Sequence, residues 1–216
     1  TEQFAGQMRA LKAYGYTTIS FYDLMKYRAG EASPPAKPVI LTFDDGDAGV
    51  YNHAWPILAD PSIDFSATAF LITDLMGHSD PPDVILTWDQ VEELHQSGRF
   101  DIQSHTVSHA YLSQLTGLPL VNELAGARSQ IEVRLNKPVH FLSWPYGDLN
   151  GEAKRVAWSS GYRAAVGIGS GVEADSFDKW VLRRVFVDCH TTLEYSPLHP
   201  DDFFLTRIGD PDILIP

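Results

Sequence analysis

Strands alternating with helices along most of the chain predict an α/β fold built on a parallel sheet or barrel. Three observations carry this expectation. Val39-Ile40-Leu41-Thr42-Phe43 is a continuous apolar run of the kind found in strands buried on both faces. Further short apolar stretches at 67–72, 100–104, 141–144, 164–167 and 181–187 read as strands. Between them, 50–58, 88–97, 120–135 and 151–160 carry helical spacing.

The N-terminal elements follow the same logic. Phe4, Met8 and Leu11 repeat at near-helical intervals over 4–14, and Gly15 then ends the helix. A short β-rich piece at 17–20 precedes a second helix over 21–28. Residues 30–38 are rich in Pro and Ala and read as a loop. No repeat, low-complexity tract or linker interrupts the chain, which predicts one domain over 1–216.

Bulk properties narrow the function classes. Of 216 residues, 44% are hydrophobic and 20% charged, a globular mixture that excludes wholesale disorder. Asp and Glu number 28 against 16 Lys and Arg, and the formal charge of −12 disfavours nucleic acid and anionic membrane surfaces as partners. Neutral or cationic substrates are compatible with that field. One cysteine, Cys189, rules out an intrachain disulfide and leaves the compartment open. No apolar run reaches the roughly 18 residues that would span a bilayer. The chain opens at Thr1 without Met, so a trimmed start is expected and the lack of a visible leader carries no weight.

Two motifs concentrate ionisable groups. In Thr42-Phe43-Asp44-Asp45-Gly46, adjacent carboxylates end a buried strand. Uncompensated charge there costs on the order of several kcal/mol, so such groups are paired, hydrogen-bonded or bound to metal. A helix cap or Asx turn explains the same residues when they are taken alone. In Ser104-His105-Thr106-Val107-Ser108-His109, imidazoles at i and i+4 can reach one ion, although such a pair alone is more often two core or surface histidines.

Together the two motifs say more. Two histidines and a carboxylate make a metal set with open positions, and a second carboxylate is left to act as base. That is a kit for metal-assisted hydrolysis of an amide or ester. A third stretch, Phe141 to Gly147, ends a strand in Pro145-Tyr146-Gly147 and offers a backbone N–H to an oxyanion; a plain strand-ending turn is its alternative.

In this order and spacing the motifs resemble the polysaccharide deacetylase family, carbohydrate esterase family four, also described as the NodB-homology domain. The likeness covers roughly residues 4–187. It is nearest to the branch acting on poly-N-acetylglucosamine of bacterial biofilms, through Phe4, Gln7, Met8, Leu11 and Gly15-Tyr16, the Trp144-Pro145-Tyr146-Gly147 motif, and the stretch Leu182-Arg183-Arg184-Val185.

The resemblance implies a distorted (β/α)7 barrel. It implies a hydrolase that removes acetyl groups from an acetylated polysaccharide, outside the cell, in the periplasm or at the envelope. Asp44 would be the base. Asp45, His105 and His109 would hold a divalent metal, first of all zinc, with cobalt, nickel or iron as alternatives. The Tyr146 N–H would serve the oxyanion, and Trp144, Pro145 and Tyr146 would meet substrate. An O-acetyl xylan esterase and a catalytically impaired carbohydrate-binding module are the competing readings.

Two departures from the family pattern stand out. An Arg that orients the base is expected in the third motif, where Leu142 and Ser143 stand; Asp175 to Trp180 resembles its usual partner motif at a shifted spacing. No late Leu-x-His supplies a catalytic acid. In the biofilm branch that histidine precedes the first helix, which would place it before Thr1; His190 is the nearest substitute within the chain.

Overall fold

In a computed structural model, residues 2–78, 84–168 and 178–187 are described. Seven parallel-paired strands lie among them. β1 (Thr17–Thr18) and β2 (Pro38–Val39) form a two-stranded sheet, while β3 (Thr42–Phe43), β4 (Ala67–Leu71), β5 (Phe100–Ser104), β6 (Phe141–Ser143) and β7 (Ala164–Val166) form a five-stranded sheet in sequence order. The helices are α1 (Glu2–Ala13), α2 (Phe21–Arg28), α3 (Trp55–Leu58), α4 (Trp88–Gln96), α5 (Gly117–Val121), α6 (Ala127–Leu135) and α7 (Gly151–Ser159). Each β-to-β step in the larger sheet runs in parallel, as the alternating pattern predicts.

The sheet is curled into a half-barrel. Strand spacing is about 4.8 Å, so β3 and β6, three steps apart, would sit roughly 14 Å from one another in a flat sheet. Yet the Ser143 hydroxyl, at the end of β6, donates to Asp44 Oδ2 just past β3 at 3.0 Å. Only a strongly bent sheet brings those two strand ends together. Past β7, Leu182 bridges Val166 in parallel, continuing the curl. This matches the barrel the family resemblance implies.

The core explains the apolar runs. All five residues of β4 are buried, and Phe65, Leu71, Leu94, Ile102, Leu142 and Trp144 belong to one continuous cluster. Local chemistry fixes the helix starts. Ser20 and Asp23 form a reciprocal capping box on α2, Thr87 and Gln90 do so on α4, and Asn150 caps α7. Each cap of this kind is worth about 1 kcal/mol.

Four sequence expectations are corrected. The run at 39–43 is not one strand: it divides into β2 and β3, which pair in different sheets. The helix expected over 120–135 is α5, a π-helical turn at Asn122–Gly126 and α6; the helix expected over 50–58 likewise opens with a π-helical turn, Val50–Ala54, before α3. The strand expected at 181–187 is reduced to the single bridge at Leu182.

Candidate active site

All strands of the larger sheet are parallel, so their C-terminal ends share one edge, where such folds place their chemistry. Asp44 and Asp45 follow β3, His105 follows β5, and Pro145-Tyr146-Gly147 turns directly after β6 and Trp144. The backbone around the site is forced. Asp45, Thr106, His109 and Tyr146 all have positive φ, at 69°, 70°, 61° and 57°. For residues other than glycine this region is sparsely populated and costs of order 1–3 kcal/mol each. Gly46 and Gly147 in the same motifs also have positive φ, and a Cβ would collide with Met76 at the first and Ile168 at the second.

Asp45, His105 and His109 converge. His105 Nε2 lies 3.3 Å from Asp45 Oδ1, His109 Nε2 lies 3.7 Å from the same oxygen, and the two ring nitrogens are 3.1 Å apart. A point equidistant from the three atoms lies about 2 Å from each, which is the bond length of zinc to imidazole nitrogen and carboxylate oxygen. Separations slightly above 3 Å are those of neighbouring ligands around a tetrahedral ion, and three protein ligands leave one position open.

The tautomer supports the fit. His105, only 3% exposed, has Nδ1 2.8 Å from the Ser143 carbonyl. A carbonyl only accepts, so Nδ1 carries a proton, which leaves Nε2 as the nitrogen that can bind a cation at the centre. Burial, with His105 nearby, pushes the His109 pKa below its ordinary 6.5, which favours the neutral ring near pH 7. With no ion between them, a hydrogen bond from His105 holds the Asp45 carboxyl below the usual carboxylate range, outweighing desolvation. With both Nε2 atoms deprotonated, three electron-pair donors face one point, an arrangement a cation satisfies.

Asp44 stands alongside, with Oδ2 3.8 Å from His105 Nε2. It is gripped by Arg184, whose Nη1 and Nη2 donate to Asp44 Oδ1 and Oδ2 at 2.8 Å each. This fork also takes in the Ser143 hydroxyl at 3.1 Å and the Gly167 carbonyl through Nε at 3.0 Å. The Arg missing from the third motif is therefore supplied from 41 residues further on. Its role was invisible in sequence; the only signal was the Arg-containing stretch after Leu182. Asp178, in the stretch resembling the fourth motif, instead pairs with Lys154 and accepts from the Trp180 N–H. His190 and Asp175 lie outside the described residues.

Two residues expected to meet sugar are buried. Trp144 is 0% exposed and its indole N–H donates to the Trp180 carbonyl at 2.6 Å; Pro145 is buried beside it. Their apolar surfaces fill the core, where their transfer from water is worth the most. Tyr146 is half exposed at 49% and packs against His109 with ring centroids 4.4 Å apart.

Comparison with known proteins agrees with this geometry. The family model described as "Polysaccharide deacetylase" matches residues 31–165. A Bacillus subtilis protein, YxkH, is 29% identical over 186 residues, covering 86% of this chain and 64% of its own length. The poly-beta-1,6-N-acetyl-D-glucosamine N-deacetylase of Staphylococcus epidermidis is 24% identical over 201 residues, covering 86% and 66%. The chain thus spans just under two thirds of the curated relatives it matches. Among solved structures, the Streptococcus pyogenes deacetylase PplD in complex with acetate superposes with a TM-score of 0.83 at 25% identity, over 96% of this chain and 86% of that one.

Proposed function

Since the chain belongs to the polysaccharide deacetylase family, we propose that it hydrolyses acetyl groups from a β-linked N-acetylglucosamine polymer, using a divalent ion held by Asp45, His105 and His109. One observation carries the reading: three ligand atoms converge on a zinc-sized point with a separately anchored carboxylate, Asp44, beside them. Asp45, His105 and His109 would hold that ion, zinc by preference for this nitrogen and oxygen set, and when bound it would supply polarisation of the acetyl carbonyl and acidification of water.

The protein's residues do the rest. Asp44 takes a proton from the attacking water, the usual work of a positioned carboxylate. Arg184 fixes both oxygens of that carboxylate, so its lone pairs point into the site. The N–H of Tyr146, in the turn after β6, donates to the oxyanion of the tetrahedral intermediate. Acetate departs, and the sugar keeps a free amine that takes up a proton. A polymer of this kind places the activity at the cell envelope, in the periplasm or outside the cell. The S. epidermidis relative's substrate supports the choice of polymer.

The test is acetate release from N-acetylglucosamine oligomers, with acetylated xylan in parallel. The zinc-loaded protein should release acetate from the amide substrate, a strong chelator should abolish it, and Asp44→Asn should lower turnover by roughly a thousandfold with zinc still bound. Equal rates with and without chelator would remove the metal's role. Release from xylan alone would move the reading to an ester hydrolase.

A further inference from the structure

We propose that Tyr111, backed by Tyr146 stacked beneath it, forms an aromatic platform whose outer face binds the apolar face of the sugar ring next to the one being deacetylated. This rests on the deacetylase reading and extends it to a subsite. The rings are stacked, with centroids 4.2 Å apart and planes 11° from parallel. They are also exposed, at 48% for Tyr111 and 49% for Tyr146. Paired aromatic surface left in water beside a cluster of ionisable groups is the kind of exposed apolar surface that a ligand can cover. The pair is joined to the metal cluster by a run of ring contacts: His105 to His109 at 4.6 Å, His109 to Tyr146 at 4.4 Å, then Tyr146 to Tyr111.

The platform is held in advance. Tyr111 and Tyr146 come from different loops, and those loops are stapled together. The Ser113 N–H donates to Asp148 at 2.7 Å, and the Asn150 amide donates to the Ser113 carbonyl at 3.2 Å. Leu112, next to Tyr111, is fully buried and anchors the first loop. Little ordering is left for binding to accomplish, which is how a flat surface gains affinity for a weakly held ligand.

The occupant follows from chemistry. A pyranose ring in a β-linked chain presents a flat face of C–H groups, which packs on an aromatic face, while its hydroxyl groups reach water or the phenol oxygens. An uncharged sugar also suits a chain of formal charge −12, where an anionic partner would be repelled. Because the rings continue outward from the metal cluster, the sugar they meet is a neighbour in the polymer. The subsite should therefore favour oligomers over the monosaccharide.

Isothermal titration of the zinc-loaded protein with an N-acetylglucosamine pentamer tests this without relying on turnover. Tyr111→Ala should weaken pentamer binding about tenfold, the scale of a lost aromatic contact. Tyr111→Phe, which keeps the ring, should bind within about twofold of the native chain. Zinc affinity, measured in parallel, reports that the variant's site is assembled. In kinetics the Tyr111→Ala loss should fall in KM rather than kcat. Unchanged pentamer affinity in Tyr111→Ala, or an equal loss in Tyr111→Phe, would overturn the platform and leave the deacetylase reading standing. A native chain that binds the pentamer but releases no acetate would remove the activity and leave the platform to be judged on binding alone.

Discussion

Arg184 shows what one side chain contributes that its neighbours in sequence cannot. Its guanidinium fork matches both oxygens of Asp44, a pairing a lysine cannot reproduce because an ammonium is a point charge. The fork donates to Asp44 and not to Asp45, His105 or His109, so on the proposed reading its work is to orient the base. Arg184→Met should lower kcat by roughly a hundredfold while zinc affinity stays within a fewfold; calorimetry and acetate release together check the split. Loss of zinc with the arginine would show that it holds the cluster instead. The proposed base, Asp44, and the converging group Asp45, His105 and His109 were legible in the sequence because adjacent carboxylates at a strand end and paired histidines are costly without a purpose. Arg184 was not, because 140 residues separate it from Asp44 and only the closing curl of the sheet brings them together. The burial of Trp144 escaped for a related reason: an aromatic beside a motif looks the same in sequence whether its ring faces sugar or core.

At the scale of elements, the loop carrying both histidines is braced from outside. Glu123 accepts the N–H groups of Val107 and Ser108 at 3.1 and 2.9 Å and the Ser108 hydroxyl at 2.6 Å. It sits in the π-helical turn Asn122–Gly126, an irregularity of a type often found near functional sites. Thr106 and His109 hold positive φ within that loop, so its backbone needs outside support to stay in shape. Glu123→Ala should reduce zinc affinity by about 10- to 100-fold, the usual consequence of removing an outer support, with helix content in circular dichroism unchanged. Unaltered affinity would mean the loop holds itself. Element positions were readable because capping residues and apolar periodicity are local signals. The π-helical turns and the division of the run at 39–43 were not, since hydrogen-bond register and sheet membership are settled by packing across the fold.

For the whole molecule, stability depends on pH through a buried phenol. Tyr162 is 2% exposed and its hydroxyl donates to the Leu124 carbonyl at 2.9 Å, tying the end of α7 to the π-helical turn. Burial pushes its pKa well above the ordinary 10.0. The folded chain therefore keeps this proton at pH values where the unfolded chain releases it. The group's contribution is whole below about pH 10 and is lost as pH rises toward the folded value. The urea midpoint should fall between about pH 9 and about pH 11, and Tyr162→Phe should flatten that fall while costing about 1 kcal/mol near neutrality. A fall of equal steepness in the variant would assign it to other groups. The parallel α/β architecture was visible in the alternation of apolar runs. Its closure into a half-barrel was implied only by resemblance to a family, because curl is a property of the whole sheet. That closure is also what assembles the site, and the most direct check is a crystal structure of the zinc-loaded protein with anomalous data collected at the zinc edge. One strong peak is expected about 2 Å from Asp45 Oδ1, His105 Nε2 and His109 Nε2, with Asp44 outside its ligand set and held by Arg184. A zinc peak elsewhere, or none between these three residues, would contradict the account.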